Sequence, residues 1–178
     1  AFLYKEALFD YLFSIDKAGI ADYYEEFFNY RKGECIKLIG DQNLGQGFQI
    51  PESLLIGEDI RRYKTTAGYM PNKLSLDIAS EPLGNYETVS LQAMQFMLYT
   101  NPAKIYLVGI DCSTSTKGHF IGNVYEDKAR EENTKKNDEQ SVESWLELKR
   151  FAELYYPEVE IISVNPVGLK GIFRDYYQ

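Results

Sequence analysis

"YETVSLQAMQFMLYTNPAKIYLVGID", residues 86–111, is the stretch that decides the fold class. Residues 86–100 contain neither Gly nor Pro and are mostly apolar, so they read as a largely buried helix. Gln92, Gln95 and Tyr99 are its more polar positions. "NPAK" ends the helix, because a proline ring cannot continue it. "IYLVGI", residues 105–110, then reads as a buried strand.

Working outward, the same alternation repeats downstream. After a polar stretch, "SVESWLELKRFAELYY" (141–156) forms an amphipathic helix stopped by Pro157, and "VEIISV" (159–164) is the next strand. Helix, strand, helix and strand at these lengths predict βαβ units in a parallel sheet with right-handed crossovers. Strands 105–110 and 159–164 are expected to be parallel neighbours. Helix 141–156 is expected to pack across them through Val142, Trp145, Leu148 and Ala152.

Upstream, residues 1–31 read as two aromatic-rich helices broken at "DKAG". Tyr4, Leu8, Tyr11 and Leu12 mark one stripe, and Ile20, Tyr24, Phe27 and Phe28 the other. These rings are expected in a core or against a partner. "CIKLIG" (35–40) and "SLLIG" (53–57) read as short strands closed by glycine, and "KLSLDIAS" (73–80) alternates like a third. The glycines of "DQNLGQGFQIP" (41–51) match neither a P-loop nor a complete GxGxxG, so that segment reads as a surface loop. The organisation is a helical segment, 1–34, followed by an α/β domain, 35–178.

Composition excludes some functions. A net charge of −8 and a pI near 4.8 leave no broad basic surface for nucleic acid or an anionic membrane. No apolar run approaches the ~20 residues of a membrane span, and the first residues lack the cationic start of a signal peptide. Cys35 and Cys112, far apart in sequence, fit a reduced, cytoplasmic protein. The chain opens on "AFLYKEALFDYLF" without Met and reads as the C-terminal part of something longer.

In parallel α/β sheets, ligands bind beyond the carboxyl ends of the strands. Asp111 and the loop "CSTSTKGHF" follow strand 105–110, and "NPVGLKG" follows 159–164. "GNYET" leads into the helix near residue 87. Its free N–H groups, with the Thr88 and Ser90 hydroxyls, suit a diphosphate, though Asn85 and Thr88 read equally as caps and Asp111 as a loop tie. His119, the sole histidine, is the natural general base or acid near neutral pH. No CxxC, HExxH or paired-carboxylate motif is present. Asp111, His119, Glu126 and Asp127 are the nearest approach to a cation site, in a loop that reads as solvated, so no metal is expected.

"YETVSLQAMQFMLYTNPAKIYLVGIDCSTSTKGHF" together with "ISVNPVGLKGIFRDYY" resembles the Rossmann-like family named for the 6-hydroxymethylpterin diphosphokinase MptE. That family includes flagellin and surface-glycan glycosyltransferase-like proteins. The same residues are similar, more distantly, to bacterial sialyltransferases of the Campylobacter type. The resemblance covers residues 73–178 and is most specific at "IYLVGID" and "GHF". The family's glycine-rich "GNGPSL" turn does not occur in these residues; it either precedes Ala1 or has been lost. Tyr86 stands where the sialyltransferases carry Arg, and Asn123 where they carry the catalytic second histidine of "HYIGH".

The resemblance implies a Rossmann-like glycosyltransferase that uses a nucleotide-sugar donor and a glycan acceptor. His119 would be the base and Asp111 would orient the loop or the sugar. Tyr86, Thr88, Ser90, Ser113, Thr114, Asn123 and Lys170 would bind substrate, with Lys117 or Lys170 stabilising the leaving phosphates. No cofactor is implied. The MptE name itself implies an alternative, Mg²⁺-dependent diphosphate transfer. A third expectation is non-catalytic: a module that docks through its aromatic N-terminal helices.

Overall fold

A computed structural model describes residues 8–16, 20, 22–44, 56–66, 73–84, 88–110, 112 and 128–178. The described elements, in order, are β1 (Tyr11–Asp16), α1 (Tyr24–Asn29), β2 (Ile36–Leu44), β3 (Ile60–Tyr63), α2 (Val89–Tyr99), β4 (Lys104–Val108), α3 (Lys128–Tyr155), β5 (Glu160–Val164) and β6 (Arg174–Tyr176). The protein is α/β. Its strands form two three-stranded parallel sheets, ordered β1-β2-β3 and β4-β5-β6.

The second sheet matches the sequence expectation closely. β4 and β5 are parallel neighbours, with Ile105 opposite Ile161 and Leu107 opposite Ser163. Trp145, Leu148 and Ala152 of α3 are buried against Ile105 and Leu107, and Val142 packs at the margin. α3 begins well before the expected residue 141 because the polar run from Lys128 is already helical. β4 stops at Val108, where Gly109 takes a φ of 72° and turns the chain.

The first sheet corrects the N-terminal reading. Residues 11–16 form a strand, not a helix, whereas Ile20, Asp22 and Tyr24–Asn29 are α-helical, as expected of the second stripe. A short aromatic run carries both periodicities, and β2 decides by pairing with it from Tyr11 opposite Ile36 to Ser14 opposite Ile39. This pairing joins the expected helical segment to the domain that follows. Phe9, Phe28 and Tyr30 pack on a buried cluster of Leu12, Ile20, Phe27, Cys35 and Ile39.

Two further expected strands are displaced. Of 53–57, residues 53–55 lie outside the described residues and Ile56 is in a turn; the strand comes later, at Ile60. Residues 73–80 are not a strand either. Asp77 gathers them into a turn, accepting from the backbone N–H of Ala79 at 3.2 Å. Residues 41–44 extend β2 instead of opening the loop, and 45–51 lie outside the described residues.

α2 joins the two sheets. Phe96 meets Tyr11 and Phe13 of β1 with ring centroids 5.4 Å away in each case. Leu91, Met94 and Leu98 belong instead to the apolar cluster around Ile105 and Trp145. Of the polar positions read from the sequence, Tyr99 at the helix end stays 44 % exposed, while the two that face the sheets are covered. Gln92 and Gln95 are 0 % and 1 % exposed.

Candidate functional site at the amino end of helix α2

The site is built by the direction of α2. Gln92 bonds to Tyr63, the last residue of β3, while Phe96, one turn on, lies over Phe13 and Tyr11 of β1. The helix therefore runs antiparallel to the first sheet, and its amino end lies at the carboxyl ends of β1–β3. That rim is where a parallel sheet leaves room for ligands.

Thr88 is the N-cap residue, in an extended conformation (φ −136°, ψ 130°), and its side chain makes no capping hydrogen bond. Its hydroxyl lies 2.8 Å from that of Ser90. The two half-buried hydroxyls thus form one polar pair beside the positive end of the helix dipole, an arrangement suited to an anion.

Below this pair the site is floored by Tyr63, Gln92 and Gln95. The Tyr63 hydroxyl donates to Gln92 Oε1 at 2.7 Å. Burial, reinforced by the nearby Asp41 carboxylate, pushes that hydroxyl well above the ordinary phenol range, so it stays protonated and donates. Asp41 itself accepts from the backbone N–H of Thr65 at 3.0 Å. The ring of Tyr63 lies over Gly40, where a Cβ would meet Ile15 Cγ2 at 2.8 Å and the Tyr63 ring at 3.2 Å. Only glycine leaves room there for the ring and for Ile15.

The two glutamines differ in how well they are satisfied. Gln95 Oε1 accepts from Gly84 N at 2.9 Å, and its Nε2 donates to the carbonyls of Gly84 (3.2 Å) and Leu91 (3.3 Å). It ties the segment before α2 to the helix. Gln92 Nε2, by contrast, is among the three buried side-chain polar atoms without a partner in the described residues, with Trp145 Nε1 and Ser163 Oγ.

The sequence-derived site residues are distributed unevenly. Thr88 and Ser90 are together at the rim. Tyr86, Asp111, Ser113, Thr114, Lys117, His119 and Asn123 lie outside the described residues, as do Asn85, Glu126 and Asp127. Cys112, between them, has a φ of 43° and sets its Sγ 3.5 Å from Ser141 Oγ of α3. Lys170 is exposed and precedes Gly171, which with Tyr156, Val159 and Arg174 lines a groove of about 300 Å³. Val159 leads into β5 and Arg174 begins β6, so Lys170 borders the amino ends of these strands and not the carboxyl rim.

Gln92, Tyr63 and Asp41 were not among the sequence candidates. A glutamine inside an otherwise apolar helix was the available signal, and it reads equally as a surface position until the tertiary partners are known. No group of His, Cys, Asp and Glu among the described residues is arranged to hold a metal, and no helix there is long and apolar enough to cross a membrane. Comparison with models of protein families, with curated proteins and with solved structures gives no match.

Proposed function

We propose that the chain is a Rossmann-like, glycosyltransferase-like protein of bacterial surface-glycan synthesis that takes a nucleotide-sugar donor at the amino end of α2. The observation that carries this reading is the Thr88–Ser90 hydroxyl pair, beside an N-cap whose side chain leaves the helix uncapped, at the carboxyl ends of parallel strands. Donor phosphates there receive helix N–H groups and two hydroxyls. A diphosphate leaves readily only when its developing charge is stabilised in this way. The sequence resemblance assigns His119 as the base that takes the acceptor proton and Asp111 as the residue that orients the sugar.

The test is calorimetry with CMP, UDP and GDP on the intact protein. One nucleotide should bind in preference to the others, and replacing Thr88 and Ser90 together by Ala should weaken it by about 1–3 kcal/mol. Silence from all three nucleotides would sink the proposal. Phosphoryl transfer strictly dependent on Mg²⁺, without sugar transfer, would move the assignment to the diphosphotransferase reading.

A further inference from the structure

We propose that Gln92 is a specificity-determining residue for the sugar portion of the donor, its free Nε2 N–H donating to a sugar hydroxyl oxygen. This rests on the nucleotide-sugar reading of the same rim. Helical side chains lean toward the amino end of their helix. The Gln92 side chain therefore leans toward Thr88, four residues earlier on the same face. Its hydrogen bond to Tyr63 places it at the carboxyl end of β3.

The amide is also held in one orientation. Tyr63 donates to Oε1, so the NH₂ end faces away from the tyrosine, and that end is the one without a partner. A buried donor left unpaired costs stability. Gln95, three residues on and equally buried, shows that this helix can satisfy a glutamine fully. A missing acceptor at Gln92 is what a binding site looks like without its ligand.

The local charge selects which acceptor. Asp41 presents a carboxylate close enough to act on Tyr63. A phosphate oxygen at this depth would face that negative charge, whereas a neutral hydroxyl would not. The phosphates accordingly belong at Thr88 and Ser90, and the sugar at Gln92. Nε2 has no solvent contact, so a sugar reaches it only where the first turn of α2 gives way on the side away from Tyr63.

The experiment compares UDP with UDP-glucose, GDP with GDP-mannose, and CMP with CMP-sialic acid by calorimetry on wild type and Gln92→Met. Methionine keeps the length and packing of the side chain and removes the donor. The sugar-bearing member of the bound pair should weaken by about 3- to 10-fold, a neutral hydrogen bond, while its parent nucleotide is unchanged. Equal affinities for the nucleotide sugar in wild type and variant overturn this inference alone, as does an equal loss for both members of the pair. Failure of wild type to bind any of the six overturns the nucleotide-sugar reading together with it. If Gln92→Met does not fold, Tyr63→Phe serves instead. The unlocked amide should then weaken the sugar-bearing member by about 2-fold and leave the nucleotide untouched, and no change in that ratio refutes the inference.

Discussion

The two sheets of this protein are held by different physics. The β4-β5-β6 sheet rests on an apolar core in which Trp145, Leu91, Leu98, Leu148 and Leu169 are almost wholly excluded from water. The β1-β2-β3 sheet has a smaller apolar cluster and also buries a charge. Lys37, the second residue of the central strand β2 and 0 % exposed, donates to Asp59 Oδ2 at 2.6 Å, and Asp59 also accepts from Gly33 N at 3.1 Å. A core of large side chains depends on volume and tolerates pH. A core holding an ion pair depends on both partners being present and charged. The helix between them carries an apolar stripe to one sheet and Gln92 and Phe96 to the other.

The largest effect that would break this contrast is at Trp145. Trp145→Ala should cost about 3–5 kcal/mol, read as a lower midpoint in urea unfolding. Because α2 is shared by both sheets, hydrogen exchange should accelerate in β1–β3 as well as in β4–β6. Protection retained in β2 would show that the halves unfold separately.

Next comes the buried pair. Asp59→Ala strands the Lys37 ammonium in the interior and should cost about 3 kcal/mol, whereas Lys37→Met with Asp59→Leu should recover most of that loss. A double variant as unstable as the single one would contradict the charge argument. Burial alone would raise the Asp59 carboxyl, but the Lys37 hydrogen bond and the Gly33 N–H outweigh it and hold the group below the usual carboxylate range. A depressed folded pKa contributes stability that is present above the unfolded value and lost as pH falls through the folded one. Wild type should therefore lose stability faster than the double variant below about pH 4, measured as melting temperature against pH.

The smallest effect sharpens the other half of the comparison. Ser163 faces the apolar core opposite Leu107, with a buried hydroxyl that has no partner among the described residues. Ser163→Ala should leave the melting midpoint unchanged or raise it by up to about 1 kcal/mol in stability. A clear destabilisation would mean that a buried water serves that hydroxyl.

The sequence by itself determined the second half of this protein. Residues 86–111 and 141–164 carry helices long enough for one period to dominate, breakers at Pro102 and Pro157, and short helix-to-strand connections that favour one parallel arrangement. The amino end of α2, with Thr88 and Ser90, was legible for the same reason, since a helix start is a local event. Tertiary structure decided what depends on distant partners. Residues 11–16 became a strand because β2 pairs with them, and Lys37 entered the interior because Asp59 waits there. Gln92 and Gln95 lost their polar face because α2 is covered from both sides. The floor of the candidate site was hidden from the sequence on the same grounds. Tyr63 and Gln92 are 29 residues apart, and Asp41 and Thr65 are 24 apart. A hydrogen bond across such a separation leaves no period in the chain to read; it exists only once the sheet has brought both ends together.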